Sequence, residues 1–165
     1  MTKPSRLLDT RPGFDKPRTF FVTSSTAGGR ALFQTERMCN LFIDVLRGYT
    51  VDRKFTIHDF VVMPNHVHLL ISVPGEMMIE RAMQLIKGAF SFRARKELGF
   101  RGEIWQRGFS DVGVRDTESF QMHRQYIEQN PLRAGLARLP EEYPYCSAHL
   151  KLKKRTAAEK TAENV

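Results

Sequence analysis

The segment that most constrains the fold is the apolar run at 63–73, which carries two histidines two residues apart, His66 and His68. In an extended strand, residues i and i+2 project from the same face of the sheet. The two imidazoles therefore point together, and the residues that alternate with them point into a core: Val67, Leu69, Ile71 and Val73. Such a pair can hold one metal ion, since histidine is the commonest metal ligand. The alternative is a pair of partly exposed strand histidines without a ligand.

The composition indicates one globular domain with an excess of positive charge. The chain has 165 residues, 41% of them hydrophobic, which is enough to bury a core in a single domain. Lys and Arg number 26 against 18 Asp and Glu, a formal net charge of +8. That surplus favours a polyanionic partner, with nucleic acid ahead of membrane lipid.

The cysteines and the N-terminal sequence indicate a cytoplasmic protein. Cys39 and Cys146 lie too far apart in sequence for a metal-binding or redox motif, so we expect two reduced thiols. Residues 1–16 are polar and lack the apolar stretch of a signal peptide. The sequence contains no apolar run long enough to span a bilayer.

Hydrophobic periodicity predicts an alternation of strands and helices. The predicted elements are strands at 19–25, 55–63, 66–73 and 104–114 and helices at 35–49, 77–98 and 116–130. We expect Pro131 to end the last helix, because the residue before a proline avoids the α region. The order β-α-β-β-α-β is that of a ferredoxin-like α+β sandwich, an antiparallel sheet with its helices on one face. The histidine pair would lie on the other, open face, and a tyrosine-bearing helix follows.

The composition changes at both ends of this domain. Residues 1–17 hold prolines and a glycine among charged residues, which predicts an N-terminal arm. The domain itself is expected at 18–149. Residues 150–165 are basic and alanine-rich, and we expect a frayed helix or a disordered tail there.

The last predicted helix offers a partner for the histidines. Tyr126 and Asn130 are four residues apart and therefore share one helix face. Two imidazoles and an amide oxygen can hold a divalent cation such as Mg²⁺ and leave positions for a phosphate and water. Tyr126 is then a candidate nucleophile, although a tyrosine needs a base or a nearby cation to attack. The alternatives are a packing role for Tyr126 and a helix cap for Asn130.

Four segments resemble single-tyrosine transposases of the HUH, IS200-like family, in the order in which that family has them. They are Met-Pro-Asn-His-Val-His-Leu-Leu at 63–70, Trp-Gln-Arg-Gly-Phe at 105–109, Tyr-Ile-Glu-Gln-Asn-Pro-Leu-Arg-Ala-Gly-Leu at 126–136 and Tyr-Pro-Tyr-Cys-Ser-Ala at 143–148. The Asn-Pro-x-Arg-Ala-Gly form is similar to the REP-associated tyrosine transposases, which act on repeated extragenic palindromes folded as DNA hairpins. The insertion-sequence branch usually has Gln in place of Asn130, and both residues offer an amide oxygen.

The resemblance implies a mechanism and a set of site residues. His66, His68 and Asn130 would hold Mg²⁺ or Mn²⁺, and Tyr126 would attack a phosphate of single-stranded DNA. The products would be a 5′-phosphotyrosine and a free 3′-hydroxyl, so that a second 3′-hydroxyl can rejoin the strand without hydrolysis. The protein would act as a monomer or a homodimer. Candidate DNA contacts are the basic residues Lys87, Arg93, Arg95, Arg107, Arg124 and Arg133.

Two other functions are compatible with parts of the sequence. Histidine-triad nucleotide hydrolases carry a third histidine where this chain has Leu70, and that function leaves Tyr126 without a role. The second is a DNA-hairpin binding protein that has lost strand transfer. The presence of both histidines and of Tyr126 argues against it.

Overall fold

The computed structural model describes residues 16–164. The predicted arm at 1–17 therefore lies outside the described residues, except for its last two positions. The elements are β1 (Arg18–Ser25), α1 (Glu36–Val51), β2 (Thr56–Met63), β3 (His66–Val73), α2 (Ile79–Leu98), β4 (Ser110–Val114), α3 (Thr117–Arg133) and α4 (Ser147–Glu163). Among these residues, no helix is long and apolar enough to cross a membrane. Cys39 and Cys146 are both buried free thiols.

The four strands form one antiparallel sheet in the order β2-β3-β1-β4, which confirms the predicted α+β fold. β3 is a central strand, paired with β2 on one side and β1 on the other. In the β1–β3 register, Thr23 lies opposite His68 and Ser25 lies opposite His66. The histidines therefore project from the middle of the sheet, beside the hydroxyl side chains of β1.

The main core lies between the sheet and helices α1 and α2. The apolar residues that alternate with the histidines are buried in it, as predicted: Val67, Leu69, Ile71 and Val73. Four aromatic rings pack between the helices and the sheet with centroids between 5.4 and 5.8 Å apart: Phe33, Phe42, Phe90 and Trp105. The histidines of β3 lie on the opposite face of the sheet from this core.

A second, smaller core lies on the histidine face. It joins three strands to Ile127 of α3 and to Tyr143, and the strand residues in it are Val61 and Met63 of β2, Leu70 of β3 and Val114 of β4. The prediction of an open face therefore holds only in part, because α3 covers some of it. The segment that follows α3 also seals the edge of β2, where the Val62 amide donates to the Tyr145 carbonyl over 2.9 Å. Such cover is how sheets protect an edge strand from pairing with other chains.

Three parts of the structure differ from the prediction by more than two residues. The fourth strand begins at Ser110, since 104–109 is irregular backbone held by Lys87, whose ammonium donates to the carbonyls of Gln106 and Gly108. α3 continues past Pro131 to Arg133, and Pro131 is one of the buried residues of this helix. The single turn that follows ends at Gly135, whose φ of 71° is one that glycine adopts without strain.

The third difference concerns the C-terminal segment. Where we expected a frayed helix or a disordered tail, α4 runs without a break from Ser147 to Glu163. Its composition of Ala, Lys, Leu and Glu has high helix propensity, which explains a helix with little packing. The first turns are also anchored, because Ser147 is buried and the Lys151 ammonium lies 2.7 Å from Asp59.

Candidate active site

The two histidines of β3 form the centre of the candidate site. Their ring centroids lie 4.7 Å apart, as the strand alternation predicts. His68 is 4% exposed, whereas His66 is half-buried at the end of the strand. One ring therefore lies deep in the site and the other lies at its mouth.

Neighbouring side chains orient both rings through Nδ1. The Thr23 hydroxyl lies 2.8 Å from Nδ1 of His68, and Oδ1 of Asn65 lies 2.7 Å from Nδ1 of His66. An amide oxygen only accepts, so the Nδ1–H of His66 donates to Asn65 and its Nε2 keeps the lone pair. Outer partners of this kind fix the tautomer and orientation of metal-binding histidines. The arrangement engages Nδ1 of both rings, so Nε2 is the atom of each ring that would bind a ligand.

Burial keeps the two imidazoles neutral at pH 7. Loss of hydration lowers the pKa of His68 to about 3, and the neighbouring His66 adds a smaller effect in the same direction. Burial also lowers the pKa of His66, and a hydrogen bond with the Asn130 side chain opposes that shift. Neutral imidazole is the form that binds a metal, so neither ring must lose a proton first.

Helix α3 brings Tyr126 and Asn130 to the histidines. The Tyr126 ring lies edge-on to His68 with centroids 5.4 Å apart, and it also contacts Phe21 of β1. Tyr126 is 39% exposed, so its side chain is open to a substrate. Asn130, one turn further along the same face, is close enough to His66 to oppose the fall in the pKa of that ring. The structure thus brings together the four residues that the sequence nominated, from a strand and a helix about sixty residues apart.

The donor set fits a divalent cation that shares its shell with an outside ligand. Two imidazole nitrogens and one amide oxygen supply three positions, and hard cations complete their shells with phosphate oxygens and water. Within residues 16–164, no cluster of three or more His, Cys, Asp or Glu side chains offers an alternative site. The Asn130 amide is therefore needed to make the histidine pair a three-ligand site.

The structure divides the six basic residues predicted to contact DNA into two groups. In four of them the charged group binds within the protein: Lys87 to the 104–109 segment, Arg93 to Asp44 and Glu97, Arg95 to the Gly102 carbonyl, and Arg124 to Asp59. Burial also lowers the pKa of Lys87.

The other two basic residues lie beside the site and are exposed. The Arg133 guanidinium lies over the Tyr126 ring, 5.5 Å from its centroid. Arg107 lines an open cleft with Thr23 and Ser25, next to the histidines. These two positions remain the best placed to meet a phosphate backbone at the site.

Sequence reasoning missed the residues that support the site rather than form it. Thr23 orients His68, and Phe21 packs against both His68 and Tyr126. Both belong to the alternating face of β1, but only the strand register shows that this face adjoins the histidines. Asp59, which is 1% exposed and binds α3, was also missed, because a lone Asp in a strand carries no sequence signal of its own.

Two curated proteins with similar sequences are both described as REP-associated tyrosine transposases, one of them as putative. The chain is 28% identical over 102 residues to a putative REP-associated tyrosine transposase of Haemophilus influenzae, a match that covers 56% of this chain and only 58% of that protein. It is 29% identical over 147 residues to the REP-associated tyrosine transposase of Escherichia coli K12, covering 87% and 84% of the two chains.

Solved structures agree with these sequence relatives. A REP-associated tyrosine transposase bound to a REP hairpin superposes with a TM-score of 0.69 at 25% identity, over 87% of this chain and 84% of that one. A putative transposase of Deinococcus radiodurans shares the fold at a TM-score of 0.53 and 20% identity, over 74% and 97% of the two chains. The family model "Transposase IS200 like" matches residues 24–130, more than half of the sequence. The chain therefore belongs to the IS200-like transposase family.

Proposed function

We propose that this protein cleaves and rejoins single-stranded DNA beside hairpin-forming palindromes, through a covalent link to Tyr126. The observation that carries the proposal is the position of Tyr126, whose ring lies 5.4 Å from His68 on the helix that also brings Asn130 to His66. A packing tyrosine would be enclosed in a core, whereas Tyr126 is 39% exposed at the mouth of the site. The candidate nucleophile and the candidate metal ligands therefore face one common space.

The chain's own residues would hold a cation and orient the DNA. His66, His68 and Asn130 would bind Mg²⁺ or Mn²⁺, with Thr23 and Asn65 fixing the two rings. When bound, such a cation polarises a phosphodiester and stabilises the charge that develops on it. Arg133 and Arg107 would position the phosphates on either side, because both are exposed beside the site.

The proposed chemistry is a transesterification. The Tyr126 oxygen gives up its proton and attacks phosphorus, forming one P–O bond while the bond to the 3′-oxygen breaks. The departing 3′-oxygen takes up a proton, and the 5′ side stays on the enzyme as a phosphotyrosine. A second 3′-hydroxyl reverses these steps and rejoins the strand. One ester bond is exchanged for another, so neither water nor an external energy source is consumed.

The hairpin substrate is inferred from the relatives. The solved relative at a TM-score of 0.69 is described as bound to a REP hairpin. The net charge of +8 supports a nucleic-acid partner for this chain as well. A monomer suffices for the proposed reaction, since one chain supplies all four site residues. We also propose that the protein acts in the cytoplasm.

A labelled DNA hairpin with a single-stranded flank tests the proposal. With Mn²⁺ or Mg²⁺ the wild-type protein should form an adduct that survives denaturing electrophoresis, and Tyr126→Phe should form none. Chelation of the cation and His68→Ala should each abolish the adduct. A wild type that binds the hairpin tightly without forming an adduct would instead support the hairpin-binding alternative. An adduct retained by Tyr126→Phe would show that the nucleophile is another residue.

A further inference from the structure

A buried carboxylate joins the sheet to the two helices that follow it. Asp59 of β2 is 1% exposed, and both of its oxygens have cationic partners. Oδ2 accepts from Nε of Arg124 in α3 over 2.8 Å, and Oδ1 accepts from Nζ of Lys151 in α4 over 2.7 Å. The Ser147 hydroxyl, at the start of α4, also lies 3.2 Å from Oδ1. One side chain thus fixes α3 and α4 to the same point of the sheet.

A bulge in β2 places Asp59 on the side of α3. The β2–β3 register runs from Ile57 opposite Ile71 directly to Asp59 opposite Leu70, so one residue of β2 is extra. Leu70 belongs to the small core beneath α3. In a regular strand that kept the Ile57–Ile71 register, Asp59 would lie opposite Leu69 and face the apolar core under α1 and α2. Bulges commonly re-aim a side chain in this way.

Apolar packing alone fixes α3 weakly. Its fully buried residues are Ile127 and Pro131, and Phe120 is partly buried against the same core, a narrow stripe for a helix of seventeen residues. So narrow a stripe leaves the rotation and axial position of the helix loosely defined. The ion pair of Arg124 with Asp59 supplies a second fixed point, and Arg124 precedes Tyr126 by only two residues.

We propose that Asp59 and Arg124 are a positioning pair that holds Tyr126 over the histidines, and that Arg124 serves this purpose instead of contacting DNA. The proposal rests on the proposed function of Tyr126 as the nucleophile. In this proposal, the ion pair of Arg124 with the buried Asp59 carboxylate fixes the position of α3 on the sheet. Small displacements of a reacting group are costly, since a shift of about 1 Å can slow a reaction about a hundredfold.

Three variants test the pair: Arg124→Met removes the charge and keeps the stem, Arg124→Lys keeps the charge, and Lys151→Met removes the other cation on the same carboxylate. The rate of amide hydrogen exchange in the free protein measures how often α3 opens locally, and the rate in α1 serves as the internal reference. Arg124→Met should speed exchange in α3 by about tenfold or more, and leave α1 unchanged, because local openings respond to local contacts. At saturating hairpin DNA with Mn²⁺, its rate of adduct formation should also fall by about tenfold or more.

The controls separate positioning from other roles. Arg124→Lys should return both quantities to within about threefold of the wild type, and Lys151→Met, which leaves the Arg124 contact intact, should change them by less than about twofold. Hairpin affinity should stay within about twofold in all three variants. If exchange in α1 also rises in Arg124→Met, that variant is globally destabilised. The comparison of Arg124→Lys with the wild type then tests the pair.

Several results would overturn the inference. Unchanged exchange in α3 of Arg124→Met would show that the pair does not hold the helix. A loss of hairpin affinity as large as the loss of rate would make Arg124 a DNA contact. Equal effects of Lys151→Met and Arg124→Met would indicate general stability and not positioning. If the wild type forms no adduct, the proposed function fails, while the exchange measurements still decide whether Asp59 and Arg124 fix α3.

Discussion

Thr23 lies directly opposite His68 in the β1–β3 register, and its hydroxyl oxygen is 2.8 Å from the Nδ1 atom of that ring. The contact is within the sheet, so the backbone pairing of two strands sets the orientation of a candidate metal ligand. Strands hold such a geometry more rigidly than loops do. Since Thr23 engages Nδ1, Nε2 is the atom of His68 that would bind a metal ion.

Substitution of Thr23 should weaken the binding of a divalent cation without altering its ligands. Thr23→Val keeps the size and branching of the side chain but leaves Nδ1 of His68 without its partner. Loss of such an outer contact typically costs about 10- to 100-fold in metal affinity. Calorimetric titration of the free protein with Mn²⁺ measures it. Thr23→Ser retains a hydroxyl and serves as the control, and equal affinity in the Val variant and the wild type would contradict the prediction.

DNA binding should depend on Arg107 and Arg133 more than on the basic residues of α2. Each lost phosphate contact lowers the slope of log K against log salt by about 1. We expect that change for Arg107→Gln and for Arg133→Gln, because both arginines are exposed beside the site. Arg93→Gln should keep the wild-type slope, since its guanidinium already binds Asp44 and Glu97. Titration of hairpin DNA at several salt concentrations gives the slopes, and a lower slope for Arg93→Gln would place DNA on α2.

Two ion pairs of similar length should contribute differently to the free energy of unfolding, because one is buried and the other is exposed. Asp59–Arg124 is 2.8 Å long around a carboxylate that is 1% exposed, and Asp44–Arg93 is 2.7 Å long around one that is 49% exposed. Asp59→Asn should lower the free energy of unfolding by about 2 kcal/mol or more, because it removes the partner of two cations. Asp44→Asn should change it by less than about 0.5 kcal/mol. Urea unfolding compares the two, and equal losses would rule out burial as the cause.

The sequence predicted the elements of the fold well where periodicity was strong. The alternation around His66 and His68 gave β3 its observed bounds of His66–Val73 and the correct assignment of its two faces. The ends of two helices have residues typical of such positions, since Thr35 caps α1 and Gly99 ends α2 with φ of 65°. Periodicity is a local property, so it could not show that α3 lies over the histidines.

Long-range contacts account for the features that could not be predicted. The β2 bulge turns Asp59 toward α3, and only the register with β3 reveals it. The partners of Arg93 and Arg124 likewise depend on packing between distant elements, which is why charge alone made both look like DNA contacts. Tyr126 was proposed as a partner of the histidines from its helix spacing to Asn130 and then from a family resemblance, and the structure supplies the 5.4 Å separation between its ring and that of His68.

His58 should make the protein less stable as the pH falls below neutrality. Burial lowers the pKa of His58; nearby Arg124 and Lys151 act in the same direction, and Asp59 opposes them. Its Nε2 atom lies 2.7 Å from the Ser72 hydroxyl. In the unfolded chain the pKa is about 6.5, so that state takes up the proton first on acidification. Stability is thus greatest above about pH 6.5 and falls until the pH passes the folded-state pKa.

A His58→Gln variant isolates this effect, because glutamine can still bond to Ser72 but does not titrate. Urea unfolding at pH 7, 6 and 5, with chelator present, should show the wild type losing more stability than the variant. The difference should grow by at most about 1.4 kcal/mol per pH unit, the limit for one proton. The lowered pKa values of His66 and His68 affect both proteins alike and cancel in the comparison. Parallel curves across this range would mean that His58 takes up its proton as readily in the folded protein as in the unfolded chain.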